Sequence, residues 1–252
     1  MRHVELIERT LIRTKRIKVN VPESYSEMTA GQWSALCSMW REEVDEASFI
    51  VRFFGIDIAT WSRLDTFYIY RLTDMLRDMS QHSDVNKFFA PYIRIGRNIC
   101  YLPQPRLEGF TLMQYMAIDT LANVYKATRN RDILCHFIAN ILSVRAEGVS
   151  VETLDKMVAD AIDRPDFEKA CQDIHLNYQL IQAWIAKRYP NVFPEGDGEE
   201  DVKPTVDTNG WSDVFDALVG DDLTRIVTYK TLPYDDVLRV LDGRIRDKKF
   251  KQ

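Results

Sequence analysis

The sequence predicts a mainly α-helical fold, a helical bundle with a small β-hairpin or three-stranded sheet and a small C-terminal helical module. Only 10 Gly and 9 Pro occur among 252 residues, too few for the many tight turns of a β-sandwich or barrel. Apolar residues also recur at every third or fourth position through most of the chain, which is the period of amphipathic helices. With 46% hydrophobic residues, the chain can bury a core, so disorder throughout is excluded.

The first elements are a strand and a helix. Polar and apolar residues alternate over 15–21, which predicts a half-buried strand that ends at Pro22. Thr29 followed by Gln32 forms a capping-box pattern, so we expect a helix to begin at Thr29. Its apolar face comprises Trp33, Leu36, Cys37, Trp40 and Val44.

Two more helices are predicted before residue 82. The helical period continues over 47–54 and meets a stop signal at Gly55. A third, longer helix follows, because apolar residues recur at helical spacing. These residues are Trp61, Leu64, Tyr68, Leu72, Met75 and Met79.

A β-hairpin is predicted near the middle of the chain. The runs 92–95 and 99–102 are rich in β-prone residues and flank Gly96 and Asn98, which tolerate positive φ. Since an isolated hairpin is marginal in water, it either recruits the strand at 15–21 into a three-stranded sheet or packs on the helices.

Four further helices are predicted after the hairpin. They cover about 111–127, 133–142, 154–162 and 165–188, and the second has the clearest amphipathic stripe. Pro165 is expected at the first position of the fourth, because its fixed φ suits a helix start.

The composition changes after residue 190. Residues 194–209 contain five acidic residues close together and almost nothing apolar, which predicts a flexible acidic linker. We therefore predict three parts: a mainly helical body over 1–193 with the small β element, the linker over 194–209, and a three-helix module with a basic tail over 210–252.

The ends of the chain are basic although the net charge is −5. Residues 1–20 carry six Lys or Arg against two Glu, and residues 244–252 carry five against one Asp. Such ends either bind an acidic partner or nucleic acid, or they are solvated termini. A sequence pI near 5.5 does not favour a nucleic-acid-binding function.

The sequence predicts no enzyme, no cofactor and no metal site. It contains none of the glycine-rich phosphate loops, zinc-binding HExxH motif, nucleophile elbow or EF-hand loop. The four cysteines form no CxxC pair, and we interpret them as buried thiols. His136 and His175 are interpreted as ordinary helix residues. Asp119, on a helix that we expect to be largely buried, is expected to bond a Tyr hydroxyl or a helix end.

The N-terminus does not read as a signal peptide, and no apolar run reaches the roughly 18 residues that cross a bilayer. We therefore expect no membrane association and a cytoplasmic location.

The C-terminal module is the predicted partner-binding site. Its apolar side is expected to hold an acidic amphipathic helix in a groove beside the basic tail, or else to dock on the chain's own helix at 165–188. The apolar residues are Trp211, Phe215, Leu218, Leu238 and Leu241, and the basic ones are Arg244, Arg246, Lys248, Lys249 and Lys251.

Several short segments together resemble the tail assembly chaperones of tailed phages and prophages. They are the basic strand that leads into the stretch 22–32, the hairpin end at 101–103, the stretch 107–119 with Thr111 and Asp119, and the stretch 232–238. The resemblance implies a helical, non-enzymatic protein of the bacterial host cytoplasm that binds the tape measure protein, keeps it soluble and helps tail-tube subunits assemble around it. The alternatives are a virion component, such as a connector or baseplate part, and an enzyme of unrecognised type. The oligomeric state is not predicted.

Overall fold

The computed structural model describes residues 1–9, 14–80, 84–194, 211 and 225–249. They group into two compact units, Met1–Ala90 and Pro91–Gln252. The fold is mainly α-helical with two small antiparallel sheets of two strands each, which confirms the predicted fold class. The unit boundary falls inside the predicted body of residues 1–193. The predicted linker, apart from Pro194, lies outside the described residues and stays a prediction.

In its described residues, the first unit combines one sheet with four α-helices. Its elements are β1 (Arg2–Arg9), β2 (Thr14–Val21), α1 (Ala30–Trp40), α2 (Glu46–Phe54), α3 (Ile58–Trp61) and α4 (Thr66–Ser80). The strands pair antiparallel with Val4 opposite Val19 and Leu6 opposite Ile17. Their inner side chains join the core of this unit, where Trp33 stacks on Phe89 with ring centroids 4.7 Å apart.

The strand β1 was not predicted, and it supplies the partner of the predicted strand at 15–21. Among the described residues, β2 pairs with β1, and the hairpin at 92–101 forms a sheet of its own. Pairing two strands that adjoin in sequence closes a short loop, which costs less chain entropy than recruiting a strand some 75 residues away. The hairpin alternative is therefore the correct one.

In this unit the capping signal correctly locates the start of α1, whereas other helix boundaries differ from the predicted ones. Thr29 Oγ1 accepts a 3.2 Å hydrogen bond from the Gln32 amide, completing the predicted capping box. The helix α1 ends at Trp40 and does not reach Val44, because Glu42 adopts a left-handed φ of 58°. The predicted helix through Trp61 and Met79 is two helices, since Leu64 between them bridges to the strand residue Glu8.

The second unit begins with the predicted hairpin and continues with six helices among the described residues. Its elements are β3 (Tyr92–Ile95), β4 (Asn98–Tyr101), α5 (Leu112–Thr128), α6 (Arg131–Ser143), α7 (Val151–Ala161), α8 (Pro165–Arg188), α9 (Arg225–Thr231) and α10 (Tyr234–Lys249). Pro165 is the first residue of α8, as predicted. The core lies where α6 packs between α5, α7 and α8, and Phe137 and Ile138 are fully buried there.

No helix in the described part of the chain is long and apolar enough to cross a bilayer.

Candidate functional site

The helix α10 carries both predicted partner-binding leucines, Leu238 and Leu241, and both are buried. Tyr234, Val237, Leu238 and Leu241 recur at helical spacing and form the inner face of α10, which packs against α5. Leu238 is completely buried, and Leu241 is 5% exposed. The structure therefore places these two leucines in the interior of the second unit.

Polar contacts fasten α10 to the end of α8 and to the residues that follow it. The Tyr189 hydroxyl donates a 2.5 Å hydrogen bond to Asp235 Oδ1. The Asn191 backbone amide donates to Asp242 Oδ1 at 2.8 Å, two helical turns further along α10. Arg188 pairs with Asp235 at 3.5 Å. Because the contacts repeat along α10, they fix its register as well as its position.

Trp211, the predicted aromatic anchor, contacts the chain's own residues. Its ring meets Tyr115 of α5 edge-on at a centroid distance of 5.3 Å and lies 5.9 Å from the Phe193 ring. Its indole Nε1–H donates a 2.8 Å hydrogen bond to Asp119 Oδ2. Trp211 is half-buried in this position. The other two apolar residues of the predicted site, Phe215 and Leu218, lie outside the described residues.

Asp119 is buried and accepts three side-chain hydrogen bonds. The donors are Gln182 Nε2 at 2.5 Å, Trp211 Nε1 at 2.8 Å and Asn123 Nδ2 at 3.3 Å. The expected partners, a Tyr hydroxyl or a helix end, were wrong. Burial raises the pKa of Asp119, and the three donors oppose that rise. Since donors occupy both oxygens, the carboxylate serves to join α5, α8 and the Trp211 segment.

A stacked pair of tyrosines continues this cluster. Tyr115 and Tyr234 stack with ring centroids 4.7 Å apart, and the Tyr234 hydroxyl donates to the Arg106 carbonyl. Arg106 and Leu107 both adopt left-handed backbone conformations, with φ of 61° and 52°. Such φ values are costly for residues other than Gly. The contact with Tyr234 and the burial of Leu107 hold this turn in place.

The C-terminal segment also leaves side chains on the surface. Val227 is 71% exposed, Val240 is 46% exposed and Leu232 is 36% exposed. Arg244 and Arg246 of the predicted basic tail are exposed as well. We refer to these five residues as the exposed C-terminal surface. Lys248 and Lys249 belong to α10, but their side chains are not among those described, and Lys251 lies outside the described residues.

Two histidines and one cysteine of the second unit, predicted to be ordinary helix residues and a buried thiol, lie on its helices, and one ring nitrogen of His175, Nδ1, is buried without a hydrogen-bond partner among the described residues. His175 Nε2 donates to the Ala122 carbonyl at 3.0 Å, and burial lowers the pKa of this imidazole to about 4. His136 Nδ1 lies 2.8 Å from Asp155 Oδ1 across α6 and α7. Burial raises the pKa of Cys135 to about 11, so this thiol is not activated as a nucleophile.

Among the described residues, no three His, Cys, Asp or Glu side chains are grouped so that they could hold a metal ion. The position of a carboxylate on an apolar helix pointed to Asp119 in the sequence, but two of its donors, Gln182 and Trp211, lie 63 and 92 residues further along the chain. Comparisons with protein-family models, with curated proteins and with solved structures find no match.

Proposed function

We propose that this chain is a non-catalytic assembly factor that holds a helical protein partner, in the manner of a phage tail assembly chaperone. The observation that carries the proposal is that α10 has one buried face and one exposed face. Its inner face is buried against α5, whereas Val240 and Arg244, one helical turn apart, remain exposed. An apolar side chain beside a cation suits an acidic amphipathic helix.

The sequence predicted that the apolar side of the C-terminal module binds the partner, whereas we now propose that its exposed side does. Leu238 and Leu241 are engaged within the chain, and Trp211 contacts Tyr115, Phe193 and Asp119. We therefore assign the partner to the exposed C-terminal surface. The resemblance to tail assembly chaperones supplies the class of partner, a long helical tape measure protein or a tail-tube protein.

Co-expression tests the proposal. The reading frames next to the gene are searched for one that encodes a long helical protein, and the soluble fraction of that protein is measured with and without co-production of the chain. We expect the neighbouring protein to aggregate alone and to form a soluble complex with this chain. A neighbouring protein that is equally soluble alone and forms no complex would contradict the proposal.

Purified particles distinguish the chaperone from a virion component. Mass spectrometry of finished virions should find this chain absent or far below the tail proteins in amount. A stoichiometric amount would assign the chain to the virion itself, as a connector or baseplate part.

A further inference from the structure

The β3–β4 hairpin presents an aromatic and basic face to solvent. Antiparallel pairing sets Tyr92 opposite Tyr101 and Arg94 opposite Ile99. Side chains alternate between the two faces of a strand, so Ile93 and Ile95 point to the interior, where both are buried. The other face therefore collects Tyr92, Arg94, Ile99 and Tyr101, and we call it the hairpin face.

Large apolar side chains on this face are unusually exposed. Tyr92 is 41% exposed, Ile99 is 45% exposed and Tyr101 is 53% exposed. The two tyrosine rings meet edge-on with centroids 6.4 Å apart, so they form one continuous apolar surface with Ile99 beside it. Exposed clusters of Tyr with an aliphatic residue are typical of protein interaction sites.

Two guanidinium groups lie over these rings. Arg94 Cζ is 5.9 Å from the centroid of the Tyr92 ring, and Arg145 Cζ is 5.5 Å from that of Tyr101. Arg145 also donates a 3.4 Å hydrogen bond to the Leu102 carbonyl, which holds it against the hairpin. An arginine stacked on a ring keeps N–H donors in the guanidinium plane for a carboxylate. The two tyrosine rings thus hold both guanidinium groups in place, with N–H donors that a carboxylate can accept from.

The local charge of this segment is opposite to that of the whole chain. Residues 91–107 contain Arg94, Arg97 and Arg106 and no Asp or Glu, whereas the chain has a net charge of −5. A basic patch attracts an anionic partner even when the protein as a whole is acidic. Charge complementarity therefore points to an acidic occupant.

We propose that the hairpin face binds an acidic segment of a partner protein, with carboxylates on Arg94 and Arg145 and an apolar side chain on Ile99 and the tyrosines. A protein fits better than a nucleic acid for two reasons. The guanidinium groups cover ring faces on which bases would stack, and the acidic chain repels a polyanion beyond the patch. This surface is separate from the exposed C-terminal surface, and the inference stands without the proposed function.

Fluorescence anisotropy with the full chain tests the inference. The probe is a short fluorescein-labelled peptide that repeats Glu-Leu-Glu-Ser, compared with the same peptide carrying Gln in place of Glu and with a labelled oligothymidylate. We expect the acidic peptide to bind more tightly than both. The double variant Arg94→Gln with Arg145→Gln should weaken this binding about tenfold.

The matched control is Lys126→Gln with Arg164→Gln, which removes two exposed charges elsewhere in the same unit. It should bind like the parent chain, and restoring charge with Arg94→Lys and Arg145→Lys should recover part of the affinity. Thermal melting of every variant verifies that it is folded. The inference is overturned if the acidic peptide does not bind at about 1 mM, if both double variants weaken binding equally, or if oligothymidylate binds more tightly.

Discussion

The indole Nε1 of Trp211 donates a hydrogen bond of 2.8 Å to the carboxylate of Asp119, a residue 92 positions earlier in the chain. A carboxylate that is almost fully buried needs donors to offset its lost hydration. This bond therefore couples the C-terminal segment to the polar interior of α5 and α8. The indole ring also meets the Tyr115 ring nearly at right angles, so that one side chain contributes both packing and a charge-assisted hydrogen bond.

Replacing the indole of Trp211 should measurably destabilise the chain. Trp211→Phe keeps an aromatic ring but removes the N–H donor, leaving Asp119 with Gln182 and Asn123. We expect the free energy of unfolding in urea to fall by about 1–3 kcal/mol. Trp184→Phe is the control, because that half-buried indole stacks with Arg188 and makes no bond to a buried carboxylate. Equal losses for both variants would show that the Trp211 donor is unimportant.

The stability of the chain should depend on His175 in mildly acidic solution. Burial lowers the pKa of this imidazole from 6.5 to about 4 in the folded chain. Between these values the unfolded chain takes up a proton that the folded chain excludes, so the contribution is complete above pH 6.5 and is lost as the pH falls towards 4. The loss amounts to about 3 kcal/mol.

His175→Gln tests this dependence, because glutamine can still donate to the Ala122 carbonyl but does not titrate. Urea unfolding at a series of pH values should give a flatter curve for the variant between pH 6.5 and 4. If the variant and the parent chain lose stability in parallel, the acid sensitivity arises from other groups.

The left-handed turn at Arg106 should accept glycine with a gain in stability. Arg106 is exposed and has a φ of 61°, a conformation that Gly adopts without steric cost. Arg106→Gly should raise the free energy of unfolding by up to about 1 kcal/mol. Arg106→Ala shortens the same side chain but keeps the strain, so it should give no such gain. A gain of the same size for Ala would mean that the side chain, and not the backbone, is responsible.

Truncation after Lys203 should strongly lower the melting temperature of the remaining chain. The deletion removes Trp211 and the inner face of α10, and it uncovers Tyr115 and Leu112, which are 1% exposed in the complete chain. Ending the chain after Asp247 is the control, because it removes only the last residues of the basic tail. A truncated chain that melts like the complete one would contradict the docking of the C-terminal segment.

Local sequence signals predicted the helices well, but they did not predict which strands pair with each other. The capping boxes at Thr29 and Thr111 depend on residues only three positions apart, so the first was visible in sequence and the second lies where a helix start was expected. The strand β1 also alternates polar and apolar residues, but eight residues of alternation do not identify the strand that pairs with them. Its partner β2 lies antiparallel to it in the structure.

At the candidate site, too, the sequence did not predict contacts between residues that are far apart in the chain. Trp211, Leu238 and Leu241 were predicted to contact either a partner or the chain's own helix at 165–188, and the structure packs the inner face of α10 against α5. Asp119 was singled out as a buried carboxylate, yet its donor Gln182 lies 63 positions away. Spacing along one helix cannot reveal such a pair, because it depends on how α5 and α8 pack.

The central claim is that α10 binds a helical partner with its exposed side while its inner face remains docked. Isothermal titration of a helical partner identified by co-expression, or of soluble fragments of it, into the parent chain and into the Val240→Glu and Ile58→Glu variants tests it most directly. Both residues are exposed, but Ile58 lies in the first unit at the start of α3. The account predicts that Val240→Glu weakens binding about tenfold or more with an unchanged melting temperature, and that Ile58→Glu binds normally. Equal binding by both variants and the parent chain would contradict it.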